Sequence, residues 1–135
     1  MPSKTTRLPL NIDRKANVIA LRVLLKGKRS AQIIKMVLDT GASLSTVRTE
    51  TALALGCDPS KAAKRIEMIT ASGIEYVPVI VIPKIKFLGF EIRHVEAACL
   101  NLPSQSLVAG LLGLNVLRKF DLRLAFLKKI LELSW

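Results

Sequence analysis

Residues Met36 to Val47 read M-V-L-D-T-G-A-S-L-S-T-V, and this stretch decides how the rest of the chain is read. An apolar run delivers Asp39 to a point where Thr40 and Gly41 end it, and an extended pattern resumes at Ser45. A D-T-G after a strand is ordinary β-turn material, because Asp, Thr and Gly all favour tight turns. Its setting carries more information. Met36, Val37 and Leu38 precede the acid, and the small residues Ala42 and Ser43 follow it. The pattern describes a carboxylate brought out of a buried strand onto a tight loop, where a second acid nearby would perturb it.

Working outward, V-I-A-L-R-V-L-L (18–25), the turn signal G-K-R-S and A-Q-I-I-K-M-V-L (31–38) predict a hairpin leading into the Asp39 loop. T-E-T-A-L-A-L-G (49–56) predicts a short helix, with Thr49 as N-cap and Gly56 as stop. K-R-I-E-M-I-T (64–70) and I-E-Y-V-P-V-I-V-I (74–82) flank A-S-G, a second hairpin in which Gly73 can take the positive φ of a tight turn. Pro78 argues for an edge or a bulge, since it has no N–H to donate to a ladder. A further strand, F-E-I-R-H-V-E-A-A-C-L, leads to the loop L-P-S-Q-S. After A-G-L-L-G (109–113) come a short helix, L-N-V-L-R-K-F, and two strands, D-L-R-L-A-F and K-K-I-L-E-L. The fold class is mainly β with one or two short helices, closed or sandwiched. Residues 1–8 read as a loose, flexible polar start, and 9–135 as a single domain.

Composition bounds the function. The chain has 135 residues, half of them hydrophobic, enough for one domain with a genuine core. No apolar run approaches the ~18 residues of a membrane span. Surplus apolar surface on so small a protein favours a partner chain. The 21 basic residues against 10 acidic ones give a net charge of +11, which attracts acidic partners at long range. The basic residues are scattered in small groups without interleaved aromatic rings, and the chain holds one Trp, one Tyr and four Phe. Base-stacking platforms need such rings, so no nucleic acid partner is expected. Cys57 and Cys99 lack CxxC spacing and have only His94 to help. They read as free thiols, and no metal or other cofactor is expected. His94 alternates with apolar neighbours and reads as a strand residue facing solvent or an interface. M-P-S-K-T-T-R is followed by no apolar signal region, which gives a cytoplasmic expectation.

V-L-D-T-G-A-S-L-S-T-V resembles the active-site loop of the retropepsin-like aspartic proteases, and the likeness extends along the chain. I-T-A-S-G-I-E-Y-V stands where that family carries its flap hairpin, and G-L-L-G-L-N-V-L is similar to its later motif of two apolar residues and a glycine before a short helix. The resemblance implies a single-lobe, closed β-barrel acid-protease fold with Asp39 as catalytic residue. It implies that Thr40 bonds across a twofold axis, that Gly41 allows close backbone approach and that Ala42 lines the cleft. Ala71, Ser72 and Gly73 would form the flap tip over a polypeptide substrate. Gly113, after Leu111 and Leu112, would support the loop from behind. The tail K-K-I-L-E-L-S-W would either enter an intersubunit sheet or pack on its own subunit.

Such chemistry needs two carboxyl groups sharing a proton. The other aspartates are Asp13, Asp58 and Asp121, none in a comparable loop. The second acid is therefore expected from a homodimer, whose twofold axis brings a residue opposite itself. The alternative is a non-catalytic dimerisation or peptide-binding module with the same fold.

Overall fold

The computed structural model describes residues 4–70, 73–101 and 109–135. Its elements are β1 (Thr5–Pro9), β2 (Ile12–Asp13), β3 (Val18–Lys26), β4 (Ala31–Leu38), β5 (Ser45–Arg48), α1 (Thr49–Leu55), β6 (Lys64–Thr70), β7 (Gly73–Phe87), β8 (Phe90–Leu100), β9 (Gly110–Leu112), α2 (Leu114–Leu117), β10 (Asp121–Ala125) and β11 (Ile130–Ser134). A 3₁₀ turn spans Pro59–Lys61.

The larger sheet has the order β2-β3-β4-β9-β5-β8-β7-β6, and a further pairing of β3 with β7 closes its middle strands into a ring. Alternation places Val23 and Leu25 of β3 and Val95 and Ala97 of β8 inside that ring, and β7 contributes Ile82 and, after a one-residue shift at Pro83, Ile85. The smaller sheet, β1-β11-β10, is antiparallel throughout. Its Leu131 and Leu133 are fully buried. Phe90 packs edge-on against Phe120, with centroids 4.4 Å apart, and against Trp135 at 5.0 Å. Those rings join the β7–β8 turn to the C-terminus, so they are structural.

Both expected hairpins form, β3–β4 and β6–β7, although β7 runs on to Phe87. Pro78 sits inside β7 opposite Arg65, one residue before pairing with β8 begins at Val79. One flank of the strand is free there, which is what a residue without an N–H requires. Two expectations are corrected. Thr49 is the first helical residue rather than the N-cap; Arg48 holds that position and makes no side-chain cap. Thr5–Leu8, read as part of a loose start, form one strand with Pro9 that pairs along its length with β11 of the same chain. The pattern of isolated apolar residues in T-T-R-L-P was too short to announce a strand that only its partner stabilises. Within the chain, the tail pairs with β1 and β10. Gly56 ends α1 in the left-handed region at φ 82°, as its place after the helix predicts.

Candidate active site

The strands before and after the Asp39 loop are not neighbours. β9 lies between them, parallel to β4 and antiparallel to β5. The loop must therefore cross the end of β9, and the chain leaving β9 passes directly beneath it. At Gly113 a Cβ would fall 2.7 Å from the carbonyl oxygen of Ala42 and 2.7 Å from the carbonyl carbon of Leu44. Backbone cannot yield that distance, so the crossing admits only glycine. Gly110 is crowded in the same way, its Cβ position lying 2.3 Å from the Thr46 carbonyl oxygen.

Backbone bonds fasten the crossing. The N–H of Asp39 donates to the Leu112 carbonyl at 3.0 Å, and the N–H of Leu114 to the Ala42 carbonyl at 2.7 Å. Within the loop, the Gly41 N–H donates to Asp39 Oδ1 at 2.9 Å, and the Ala42 N–H to the Asp39 carbonyl at 3.3 Å. This Asx-type turn orients the carboxylate. Asp39 and Ala42 are half-buried while Thr40 and Gly41 are exposed. None of the ion pairs among the described residues includes Asp39.

A buried polar network braces the loop's second limb. Ser45 Oγ donates to Asn115 Oδ1 at 2.8 Å and accepts the Gly113 N–H at 3.0 Å. The Ser45 N–H also donates to Asn115 Oδ1 at 2.9 Å, and Asn115 Nδ2 donates to the Glu96 carbonyl at 2.9 Å. Three segments are thus tied by one amide and one hydroxyl, each side chain both donating and accepting. Sequence reasoning passed over Ser45 and Asn115. The one signal was a small polar residue inside each of two apolar stretches, S-T-V and L-N-V-L.

The other expected site residues are distributed as follows. Leu111 and Leu112 lie in β9, with Leu112 fully buried beneath the loop. Gly73 opens β7 at φ 119°, a conformation open to glycine. Ala71 and Ser72 lie outside the described residues. Ile69, Ile74 and Tyr76 leave much apolar surface exposed along the β6–β7 hairpin. The remaining aspartates are engaged elsewhere. Asp13 accepts from Lys35 and from the N–H groups of Lys15 and Ala16, and the Lys35 hydrogen bond leads in holding its pKa below the usual range. Asp58 caps the 3₁₀ turn through Ser60, whose hydroxyl leads in lowering its pKa. Asp121 begins β10 in the other sheet.

The Asp39 carboxylate thus stands half-buried on a braced loop at the end of β9. The chain belongs to the family of gag-polyprotein putative aspartyl proteases, whose model matches residues 25–119. Its fold is retropepsin-like: a crystal structure of a retropepsin-like aspartic protease from Rickettsia conorii superposes with a TM-score of 0.74 at 22% identity, covering 99% of this chain and 94% of that one. No curated protein matches the sequence. Family and fold together support hydrolysis of peptide bonds. No helix among the described residues is long and apolar enough to cross a membrane.

Proposed function

We propose that the chain is an aspartic endopeptidase whose active site is completed by a second copy, the two Asp39 carboxylates meeting across a twofold axis. The observation that carries this reading is an elimination. Asp39 stands at the surface of a rigid loop, while Asp13, Asp58 and Asp121 are held in other parts of the chain. An isologous contact supplies the missing acid, because it sets each residue against its own copy.

Two carboxyl groups so close cannot both ionise readily, and they titrate as a pair. The ionised member takes a proton from a water, which attacks the scissile carbonyl carbon. The protonated member donates a hydrogen bond to the carbonyl oxygen and then its proton. Collapse of the tetrahedral species breaks the C–N bond and transfers a proton to the leaving amine. Thr40 would bond across the axis to the opposing loop, and Gly41 and Ala42 would leave room for the substrate backbone. An extended polypeptide would lie between the loop and the β6–β7 hairpin, its tip formed by Ala71, Ser72 and Gly73. Backbone bonds would hold it while exposed apolar side chains select its residues. Leu111, Leu112 and Gly113 would hold the loop from behind.

Asp39→Asn tests the assignment. Cleavage of an unfolded protein should fall on the order of a thousandfold or more, with the dimer intact by sedimentation. Wild-type turnover in that variant would sink the proposal. An intact dimer with no turnover by the wild type at any pH between about 4 and 8, a range spanning shifted carboxyl pKa values, would instead favour the non-catalytic module.

A further inference from the structure

A groove of about 830 Å³ lies away from the Asp39 loop, at the end of the molecule where β4 begins. β4, eight residues long, spans on the order of 25 Å between the Lys28–Arg29 edge of the groove and Asp39, while Glu96 on the groove's other edge adjoins Ala97, the partner of Ser45. The groove exists because the ring has a gap. β7 is flanked by β6 over Gly73–Val79 and by β3 over Lys84–Lys86, on the side opposite β8. Among the described residues, no strand flanks Ile80–Pro83 on that side. The buried Cys57 thiol closes the bottom of the gap by donating to the Val81 carbonyl at 3.8 Å. Pairing on the β8 side also lapses at Pro83 and His94, where proline has no N–H and His94 takes φ 54°.

The walls carry charge and the floor is apolar. Lys28 and Arg29 form one wall, Lys61 and Lys64 the other, and Leu53 and Val81 line the space between. Leu53 and Val81 are 53% and 48% exposed, which leaves an accessible apolar floor. Two acids share the rim: Glu96 pairs with Lys64 at 3.0 Å, and Asp58, hydrogen-bonded by Ser60, keeps its charge in the field of Lys61, so Lys28 and Arg29 carry the uncompensated charge. The Lys28–Arg29 wall is also held in place. The Arg29 N–H donates to the Leu55 carbonyl at 3.0 Å, and Ser30 Oγ to the Ala54 carbonyl at 2.6 Å, so the β3–β4 turn caps the C-terminus of α1. Gly27 makes this possible, since a Cβ there would meet the Leu55 carbonyl oxygen at 2.1 Å.

We propose that this gap between the ends of β3 and β6 is a docking site for an extended acidic segment of a partner polypeptide, apolar on the face that meets Leu53 and Val81. Charge complementarity selects the occupant. Around the apolar floor Lys28, Arg29, Lys61 and Lys64 outnumber Asp58 and Glu96, and an extended chain alternates its side chains between two faces. One face covers the floor while carboxylates on the other reach the walls. Among the described residues no Phe, Tyr or Trp lines the groove, which disfavours a single-stranded nucleic acid, whose bases need stacking partners. The site stands independently of the hydrolytic reading of Asp39.

The test is fluorescence anisotropy of a dye-labelled peptide of alternating Glu and Val, read on the full chain carrying Asp39→Asn so that the probe stays whole. Binding should weaken at least tenfold in Lys28→Glu/Arg29→Glu and separately in Lys61→Glu/Lys64→Glu. Raising the salt should weaken it as well. Arg22→Glu, in exposed β3 sequence outside the groove, should leave it unchanged. Two variant pairs on different elements guard against a folding defect in either, and circular dichroism checks both. Equal loss in Arg22→Glu, equal affinity for a peptide of alternating Lys and Val, or no binding would each overturn the proposal. So would a single-stranded oligonucleotide that binds more tightly and is lost in the same two pairs, which would assign the groove to nucleic acid.

Discussion

The two ends of β4 solve opposite problems. At its C-terminal end, backbone is packed against backbone so closely that Gly110 and Gly113 tolerate no side chain, and a satisfied polar network locks the crossing. At its N-terminal end the ring is left open, walled by long cationic side chains over exposed Leu53 and Val81. Positioning a carboxylate for chemistry requires rigidity within fractions of an ångström. Capturing a charged chain requires only complementary field and an accessible apolar floor. The comparison therefore predicts that damage at the loop removes activity steeply, whereas changes at the groove alter binding in graded steps.

Asp39→Asn and the groove variants separate the two ends directly, since each should spare the function of the other. Gly113→Ala should come next in effect. The new methyl has no space between Ala42 and Leu44, so the loop must lift, costing about 1–3 kcal/mol of stability. Turnover should be lost in proportions that the stability loss alone does not explain. Urea melts alongside turnover assays at a temperature where the variant is folded measure both. Unchanged stability would mean that the loop has more slack than the crossing allows.

Asn115→Ala is expected to cost roughly 2–3 kcal/mol, because it strands the buried Ser45 hydroxyl and N–H and the Glu96 carbonyl. Glu96 also lines the groove, but Asn115 holds only its backbone carbonyl, so peptide affinity there should stay within twofold, as the anisotropy titration above would report. A large loss there would mean that the two ends communicate.

The smallest effect lies in the core behind both ends. Burial, opposed by a hydrogen bond with the Ile80 backbone and reinforced by nearby Cys57, pushes the Cys99 thiol up to about 11. Its pKa is raised on folding, so its contribution is fully present below the unfolded value of about 8.5 and disappears as pH rises toward the folded value. Stability should therefore decline between those limits, and less steeply in Cys99→Val. Denaturant melts across the alkaline range read the difference. Equal slopes would remove the thiol as the cause.

Much of this was visible in the residues. The alternation in V-I-A-L-R-V-L-L and A-Q-I-I-K-M-V-L, the stop at Gly56 and the D-T-G after an apolar run are local signals, and β3, β4, α1 and the Asp39 loop formed where they indicated. β1 was not legible, because a five-residue strand at the chain's start is stabilised by β11, more than a hundred residues away. Ser45 and Asn115 were missed for the same reason: their meaning is a contact across 70 positions.

The sequence by itself determined the two hairpins of the ring, the single D-T-G carboxylate and the positive charge, since periodicity, turn chemistry and ionisation belong to short stretches of chain. Only the tertiary structure decided that β9 threads between the strands flanking Asp39, which makes Gly113 irreplaceable by a larger residue. It alone decided that the tail pairs with its own N-terminus and that scattered lysines and arginines converge around a gap in the sheet. Strand order and closure arise from pairings between distant segments, and no local pattern specifies which edges meet and which stay open.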